Sequence, residues 1–448
     1  MVVNLRMLAV DSLIEIFEEN RHSHIVISEV LNKYQYIEKQ ERAFYQRLTF
    51  GTIERKLFID YVIDSFSNKP VKKMRPVMRY ILETGVYQIL YMDSVPDSAA
   101  CNEAVKIAKK RGFSSLSGFV NAILRKVCAN KENITLPDKN ANPVEYLSIA
   151  YSTPEWLVRE WCDKYGYEKT KAILSKQLTD KSTTIRCNKL LITPNELSEN
   201  LKSEGVGVKQ GAYVEDALII SEFDSVTRLK GYEEGHFYVQ DESSMLAVRA
   251  AGINSDDFVV DVCAAPGGKS LYAAYFASAG KVISRDLTEN KTDIIAMNAK
   301  RCKAENVVIE VRDALELDEA LVGKADVVIA DLPCSGLGII GKKPDIKLKM
   351  TKEQIIQLSN LQKEILKVVS SYVKPKGVMI YSTCTINSVE NEENVEWVVN
   401  NLGFETESLD EYIPKSLHNE DSKSGYMTLL PGINECDGFF ISRLRKKQ

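Results

Sequence analysis

Phe258-Val259-Val260-Asp261-Val262-Cys263-Ala264-Ala265-Pro266-Gly267-Gly268-Lys269-Ser270 joins a short apolar run to a glycine-rich turn. Four of the first five residues are apolar or β-branched, the pattern of a strand buried on both faces. Small residues and two glycines then turn the chain into a helix predicted to start near Lys269. In an open α/β sheet such a turn lies at the carboxyl end of its strand, where glycine lets a ligand approach the backbone and the helix N-terminus presents free N–H groups. A nucleotide-like ligand belongs there.

Two common turns do not fit. A phosphate-binding loop needs G-x-x-x-x-G-K-[ST]; Gly268, Lys269 and Ser270 supply its end, but Cys263 stands at the opening glycine and Pro266 has no N–H to offer a phosphate. The dinucleotide fingerprint G-x-G-x-x-G is absent. A ligand with a ribose but no phosphates is favoured, and S-adenosylmethionine is such a ligand.

From Gly252 onward strands and helices alternate, which predicts a doubly wound, Rossmann-like, mostly parallel sheet. Strands are expected at Phe258 to Cys263, Lys281 to Asp286, Val307 to Arg312, Ala325 to Leu332 and Gly377 to Ser382, with Gly438 to Arg445 as a final edge strand. Asp286, Asp313 and Asp331 end successive strands. Carboxylates at that edge are placed to read hydroxyl and amine groups, and Asp286 follows Asp261 at about the spacing of a ribose-reading acid. One such Asp could be a helix cap; three in succession are poorly explained that way.

Asp331-Leu332-Pro333-Cys334 closes the fourth strand and Thr383-Cys384 the fifth, so the topology brings two cysteines to the ligand-facing edge. That pairing suggests a reaction. Carbon 5 of a pyrimidine is a poor nucleophile until a thiolate adds to carbon 6, and a nucleophilic cysteine divides one hard step into two easier ones. Enzymes that methylate exocyclic amines carry [DN]-P-P-[YF] at this position and need no thiol; D-L-P-C points to carbon methylation. Cys101, Cys128, Cys162, Cys187, Cys302 and Cys436 read as small buried hydrophobes, and Cys263 as part of the turn wall.

The 448 residues predict two or three domains. The first 130 have apolar residues at helical spacing (Leu5, Leu8, Ala9, Leu13, Ile16, Phe17) and predict an all-α domain, with helices across Gln40 to Phe66, Pro76 to Tyr91, Ser98 to Arg111 and Ser115 to Cys128. Residues 131–143 read as a linker, 144–240 as a small α/β subdomain leading into the catalytic domain, and 241–448 as that domain. Residues 1–131 carry 20 Lys and Arg against 14 Asp and Glu, the remainder 38 against 48. A basic module joined to an acidic one favours a polyanionic partner, with Lys109, Lys110, Arg111, Arg125 and Lys126 as candidate phosphate contacts. Deleting residues 1–130 is therefore expected to weaken RNA binding without abolishing cofactor binding. Nine scattered cysteines without a C-x-x-C pair fit a reducing cytoplasm, no metal site is expected, and no run of 18 apolar residues suggests a membrane span. A monomer is expected.

Several segments resemble known families. Q-E-R-A-F-Y-Q-R-L-T-F-G-T-I-E-R, V-P-D-S-A-A-C-N-E-A-V-K-I-A-K-K and G-F-V-N-A-I-L-R-K-V are similar to the RNA-binding bundle of NusB-type antitermination factors. D-V-C-A-A-P-G-G-K-S, D-L-P-C-S-G-L-G, K-P-D-I-K and S-T-C-T-I-N-S-V-E-N-E, with Q-D-E-S-S-M-L at Gln240, resemble the RNA (cytosine-5) methyltransferase family, in the bacterial subgroup that carries the NusB-like domain and acts on 16S ribosomal RNA. The resemblance implies methylation of a cytosine of the 967 type, with Cys384 as nucleophile and Cys334 assisting proton removal or product release. It also places S-adenosylmethionine against Cys263, Ala264, Ala265, Pro266, Gly267, Gly268, Lys269, Asp286, Lys291, Asp313 and Asp331, with Asp331 close to cofactor and base. The residues alone leave the division between the cysteines open, since DNA cytosine-5 methyltransferases attack with the cysteine of the P-C motif. Pro431-Gly432 stands where the family commonly has Pro-His before D-G-F-F. Alternatives are the same chemistry on transfer RNA or another ribosomal site, an RNA-coupled P-loop ATPase, and a non-catalytic RNA-binding antitermination or assembly factor.

Overall fold

The structure, a computed structural model, describes residues 3–179 and 182–448. The chain forms two compact units, Met1–Thr179 with Ile340–Lys349, and Asp180–Ile339 with Met350–Gln448.

The first unit is helical. Its helices include Leu5–Phe17, Ser23–Lys33, Lys39–Glu54, Lys56–Phe66, Pro76–Tyr91, Asp97–Lys110 and Ser117–Asn130, followed by Pro143–Ala150, Glu155–Tyr165 and Tyr167–Thr179. The stretch predicted across Gln40 to Phe66 is two helices that break at Arg55. Leu13, Ile16, Leu48, Val62, Leu82 and Leu124 are fully buried in one core, as the helical spacing requires. Lys109 and Lys110 are exposed, whereas Arg111 is ion-paired with Asp11 and so is not a free phosphate contact.

Residues 340–349 lie in the K-P-D-I-K region, and they too belong to this unit. Leu348 packs against its core. The carboxylate of Asp345, 1% exposed, accepts from the backbone N–H of Ser23 at 3.2 Å and from the Ser23 hydroxyl. Lys347, equally buried, donates from Nζ to the carbonyls of Glu54 at 3.1 Å and Tyr151 at 3.4 Å. Deleting residues 1–130 therefore removes partners of two buried charges as well as a basic surface. A single change isolates the effect: Ser23→Ala, which takes one donor from a buried carboxylate, is expected to lower stability by about 2 kcal/mol, measured by urea unfolding.

The second unit holds two sheets. β1 (Thr183–Cys187), β2 (Gly207–Gln210), β3 (Ala217–Ser221) and β4 (Phe237–Val239) form an antiparallel sheet in the order β2-β3-β1-β4. The helix Pro194–Ser203, opened by a Thr193–Glu196 capping box, seats Leu197 and Leu201 on Ile185, Leu218 and Ile220.

The large sheet contains β5 (Phe258–Asp261), β6 (Lys281–Asp286), β7 (Val307–Val311), β8 (Ala325–Asp331), β9 (Val373–Thr383), β10 (Phe404–Thr406), β11 (Tyr426–Leu429) and β12 (Phe439–Lys446). The order is β10-β12-β9-β8-β5-β6-β7, with β11 also on β12. β5 to β9 are parallel, and β10, β11 and β12 join antiparallel. The last strand is thus not an edge: β9 covers one side, and β10 and β11 the other. F-E-T and Y-M-T-L are too short for alternation to reveal them as strands. Among the described residues no helix is long and apolar enough to cross a membrane.

Candidate active site

The carboxyl ends of β5, β6, β8 and β9 lie side by side, which sets the glycine-rich turn beside two cysteine loops. Gly267 caps the helix Gly268–Phe276 with φ +106°, a conformation that favours glycine. The turn is braced from the small sheet: the Tyr238 hydroxyl donates to the Pro266 carbonyl at 2.9 Å, and Nη1 of Arg186 donates to the Gly268 carbonyl at 2.8 Å. Arg186 also donates to Gln240, which gives the Q-D-E-S-S-M-L segment a structural part. Asp286 accepts from the N–H of Ala265 at 2.9 Å, from that of Leu287 at 2.8 Å and from Lys291 at 2.9 Å, so one carboxylate joins the turn to the end of β6. Burial pushes the Cys263 thiol up, which suits a wall residue better than a nucleophile. Asp313 lies just beyond β7 and accepts from the Leu315 N–H at 2.9 Å, the bond of a turn cap.

The strand pattern alone does not mark Asp261 as a site residue. It is fully buried at the end of β5 and accepts from the Ser270 hydroxyl at 2.7 Å, while its Oδ1 has no hydrogen-bond partner among the described residues. Burial pushes its carboxyl up to about 7, with Ser270 only partly opposing. Between about pH 4 and about pH 7 the unfolded chain has released a proton that the folded chain keeps, so stability from this group falls as pH rises through that window. Asp261→Asn should flatten that slope, seen by comparing urea unfolding of both proteins at about pH 5 and about pH 8.

Asp331 stands where the strands meet the chemistry. Its Oδ2 accepts from Lys269 of the turn at 2.6 Å and its Oδ1 from the hydroxyl of Ser382 on β9 at 2.8 Å. Asp331 and Ser382 are register partners of parallel neighbours, so the cysteines three and two residues further on are brought together. Their sulfurs are 3.2 Å apart and both side chains are partly exposed. The Cys334 thiol is held well above the ordinary cysteine range, first by its hydrogen bond to Cys384 and then by burial and the charges of Cys384 and Glu390. Either thiol can donate the hydrogen bond between the two sulfurs. Gly338 explains the second glycine of S-G-L-G: its N–H donates to the Cys384 carbonyl at 3.0 Å, and a Cβ there would lie 2.0 Å from the Gly438 carbonyl oxygen. Gly432 has φ +79°.

The residues suit S-adenosylmethionine. The glycines bring bare backbone to the sheet edge, and carboxylates at neighbouring strand ends offer acceptors for hydroxyls and an amine. Pro266 at the centre of the turn denies the N–H cradle that a phosphate needs. Among the described residues no group of three or more His, Cys, Asp or Glu is arranged to hold a metal ion.

Comparison with known proteins covers almost the whole chain. Residues 250–445 match the model of the 16S rRNA methyltransferase RsmB/F, residues 3–129 that of the NusB family, and residues 153–227 the ferredoxin-like domain of RsmF/B-like methyltransferases. The chain is 34% identical over 448 residues to a probable ribosomal RNA small subunit methyltransferase B of Bacillus subtilis, covering 99% of each. It is 26% identical to ribosomal RNA small subunit methyltransferase B of Proteus mirabilis, again over 99% of each. The crystal structure of PH0851 superposes with a TM-score of 0.82 over 100% of both chains at 25% identity. With a helical NusB domain, a ferredoxin-like subdomain and a Rossmann-like domain built for S-adenosylmethionine, the chain belongs to the RsmB/F family of ribosomal RNA methyltransferases.

Proposed function

We propose that the protein methylates carbon 5 of a cytosine in 16S ribosomal RNA through a covalent adduct of Cys384 with carbon 6. The observation that carries this reading is the pair of sulfurs 3.2 Å apart at the end of neighbouring parallel strands. A hydrogen bond from Cys334 stabilises negative charge on Cys384, the state needed for attack. Addition at carbon 6 moves electron density into the ring, toward carbon 5, and the Asp331 carboxylate orients the base by accepting from its exocyclic amine. Bound S-adenosylmethionine supplies an electrophilic methyl group. The turn of Cys263, Ala264, Ala265, Pro266, Gly267, Gly268 and Lys269, together with Asp286 and Lys291, would hold it, with Asp313 and Asp331 flanking. Once carbon 5 is methylated, its proton passes to a base, the carbon–sulfur bond breaks, and Cys334 can return a proton to the departing sulfur. The opposite assignment, attack by Cys334, would need a thiol held well above the ordinary cysteine range to ionise first.

A base in a duplex presents carbon 6 poorly to a thiol, so the target is single-stranded or flipped. The helical unit supplies affinity for RNA with its basic residues, and the protein works as a cytoplasmic monomer on naked small-subunit RNA at a cytosine of the 967 type. Incubation with labelled S-adenosylmethionine and unmodified 16S RNA is expected to give 5-methylcytosine in the nuclease digest. Label confined to transfer RNA would move the substrate, and label in N4-methylcytosine would overturn the thiol mechanism.

A further inference from the structure

The two cysteines sit on separate loops, and adjacent strands alone do not fix the sulfurs to a few tenths of an ångström. Behind them lies a polar network that the mechanism above does not use. Glu390 is fully buried, and its two carboxyl oxygens receive four donors. Oε1 accepts from the N–H of Ser335 at 2.9 Å and from Nε2 of Gln362 at 3.0 Å, while Oε2 accepts from the Ser335 hydroxyl at 2.5 Å and from Asn387. Gln362 also donates to the Pro333 carbonyl at 2.8 Å, so both neighbours of Cys334 are held. The next residue, Asn391, is also fully buried; it accepts from the Thr383 hydroxyl at 2.6 Å and donates to the Thr385 carbonyl at 3.0 Å, which holds both neighbours of Cys384. The Ser335 hydroxyl lies 2.8 Å from that of Thr385 and closes the link between the loops. A core needing only stability would be served as well by apolar side chains, because buried polar groups must recover their desolvation cost. Here the bonds fall on the residues flanking each sulfur.

We propose that Glu390 and Asn391 are positioning residues that lock the Cys334 and Cys384 loops to each other, Glu390 through Ser335 and Asn391 through Thr383 and Thr385. The inference deepens the two-cysteine reading and rests on it for its catalytic consequence, but the geometry has a readout of its own. Diamide oxidises two neighbouring thiols to a disulfide, taking up two electrons and two protons to become a hydrazine, and the rate reports how well the sulfurs are aligned.

Glu390→Gln, which turns an acceptor toward Asn387 and Ser335 into a donor, and Ser335→Ala, a milder cut in the same link, are tested with full-length protein. The control is Ser359→Ala: Ser359 is buried in the same network, bonded to the Val389 carbonyl and Asn394, but touches no residue flanking a cysteine. The Cys334–Cys384 cross-link, read by peptide mass spectrometry, is expected to form about tenfold more slowly in both test variants, and kcat to fall by roughly 100-fold at unchanged KM for S-adenosylmethionine. Ser359→Ala is expected to lose stability alone. Cross-linking and kcat at wild-type levels in Ser335→Ala, or an equal slowing in Ser359→Ala, would overturn the inference, and Ser335→Ala decides it if Glu390→Gln does not fold. A wild-type protein that cross-links rapidly yet transfers no methyl group would refute the proposed function, and the slowed cross-link in the variants would still support the positioning role.

Discussion

Cys384→Ala is expected to abolish both methyl transfer and any protein–RNA adduct that survives denaturation, whereas Cys334→Ala is expected to accumulate that adduct while forming little free product. The asymmetry follows from the hydrogen bond between the sulfurs. Under the proposed assignment Cys334 donates the hydrogen bond that joins the sulfurs, so Cys384 is the atom on which negative charge is stabilised. Without Cys384 there is no bond to carbon 6, carbon 5 stays unactivated, and the rate should fall by roughly ten-thousand-fold, as for the deletion of other enzyme nucleophiles. Without Cys334 attack can still occur, but the departing sulfur loses the adjacent donor and resolution slows. Wild type and both variants are compared on denaturing gels with labelled 16S RNA, and 5-methylcytosine is counted in parallel. An adduct in Cys384→Ala that is missing from Cys334→Ala would exchange the two roles.

The elements that position these sulfurs differ in how far the sequence disclosed them. β5 and β8 are largely apolar runs that end in Asp, as parallel strands buried on both faces tend to read, and β6 ends in Asp as well although it carries Ser284 and Arg285; their common edge, and with it the neighbourhood of Asp286, Asp331, Cys334 and Cys384, followed from the pattern. β10 and β11 were hidden because three or four residues carry no usable period. Glu390 and Asn391 sit in the quoted S-V-E-N-E segment, but a carboxyl next to an amide on a charged-looking stretch reads as solvated surface, and only the fold shows both fully buried against the cysteine loops. Arg186 was equally opaque, as nothing local to T-T-I-R-C indicates that its guanidinium reaches the Gly268 carbonyl 82 residues away. The docking of residues 340–349 in the helical unit is a contact across more than 300 residues, from Ser23 to Asp345, and no periodicity encodes it.

Asp331 shares its carboxylate between the cofactor turn and the strand leading to Cys384, which leaves two roles to separate. If it serves only to anchor Lys269, removing either member of that ion pair should cost about the same. If it also orients the base by accepting from its exocyclic amine, its loss should be far the more damaging. The second role is the one proposed, since one oxygen goes to Lys269 and the other to Ser382, two residues before the proposed nucleophile Cys384. Asp331→Ala is expected to lower kcat by about a thousandfold, within the range found for a positioned acid–base group. Lys269→Met is expected to weaken S-adenosylmethionine binding by about tenfold, the scale of one charge-assisted contact, while kcat at saturating cofactor falls only a few-fold. Cofactor affinity by calorimetry and single-turnover rates on 16S RNA measure the two effects separately. Equal losses of kcat in the two variants would reduce Asp331 to a strut for the turn, and the base would then need another anchor at this edge.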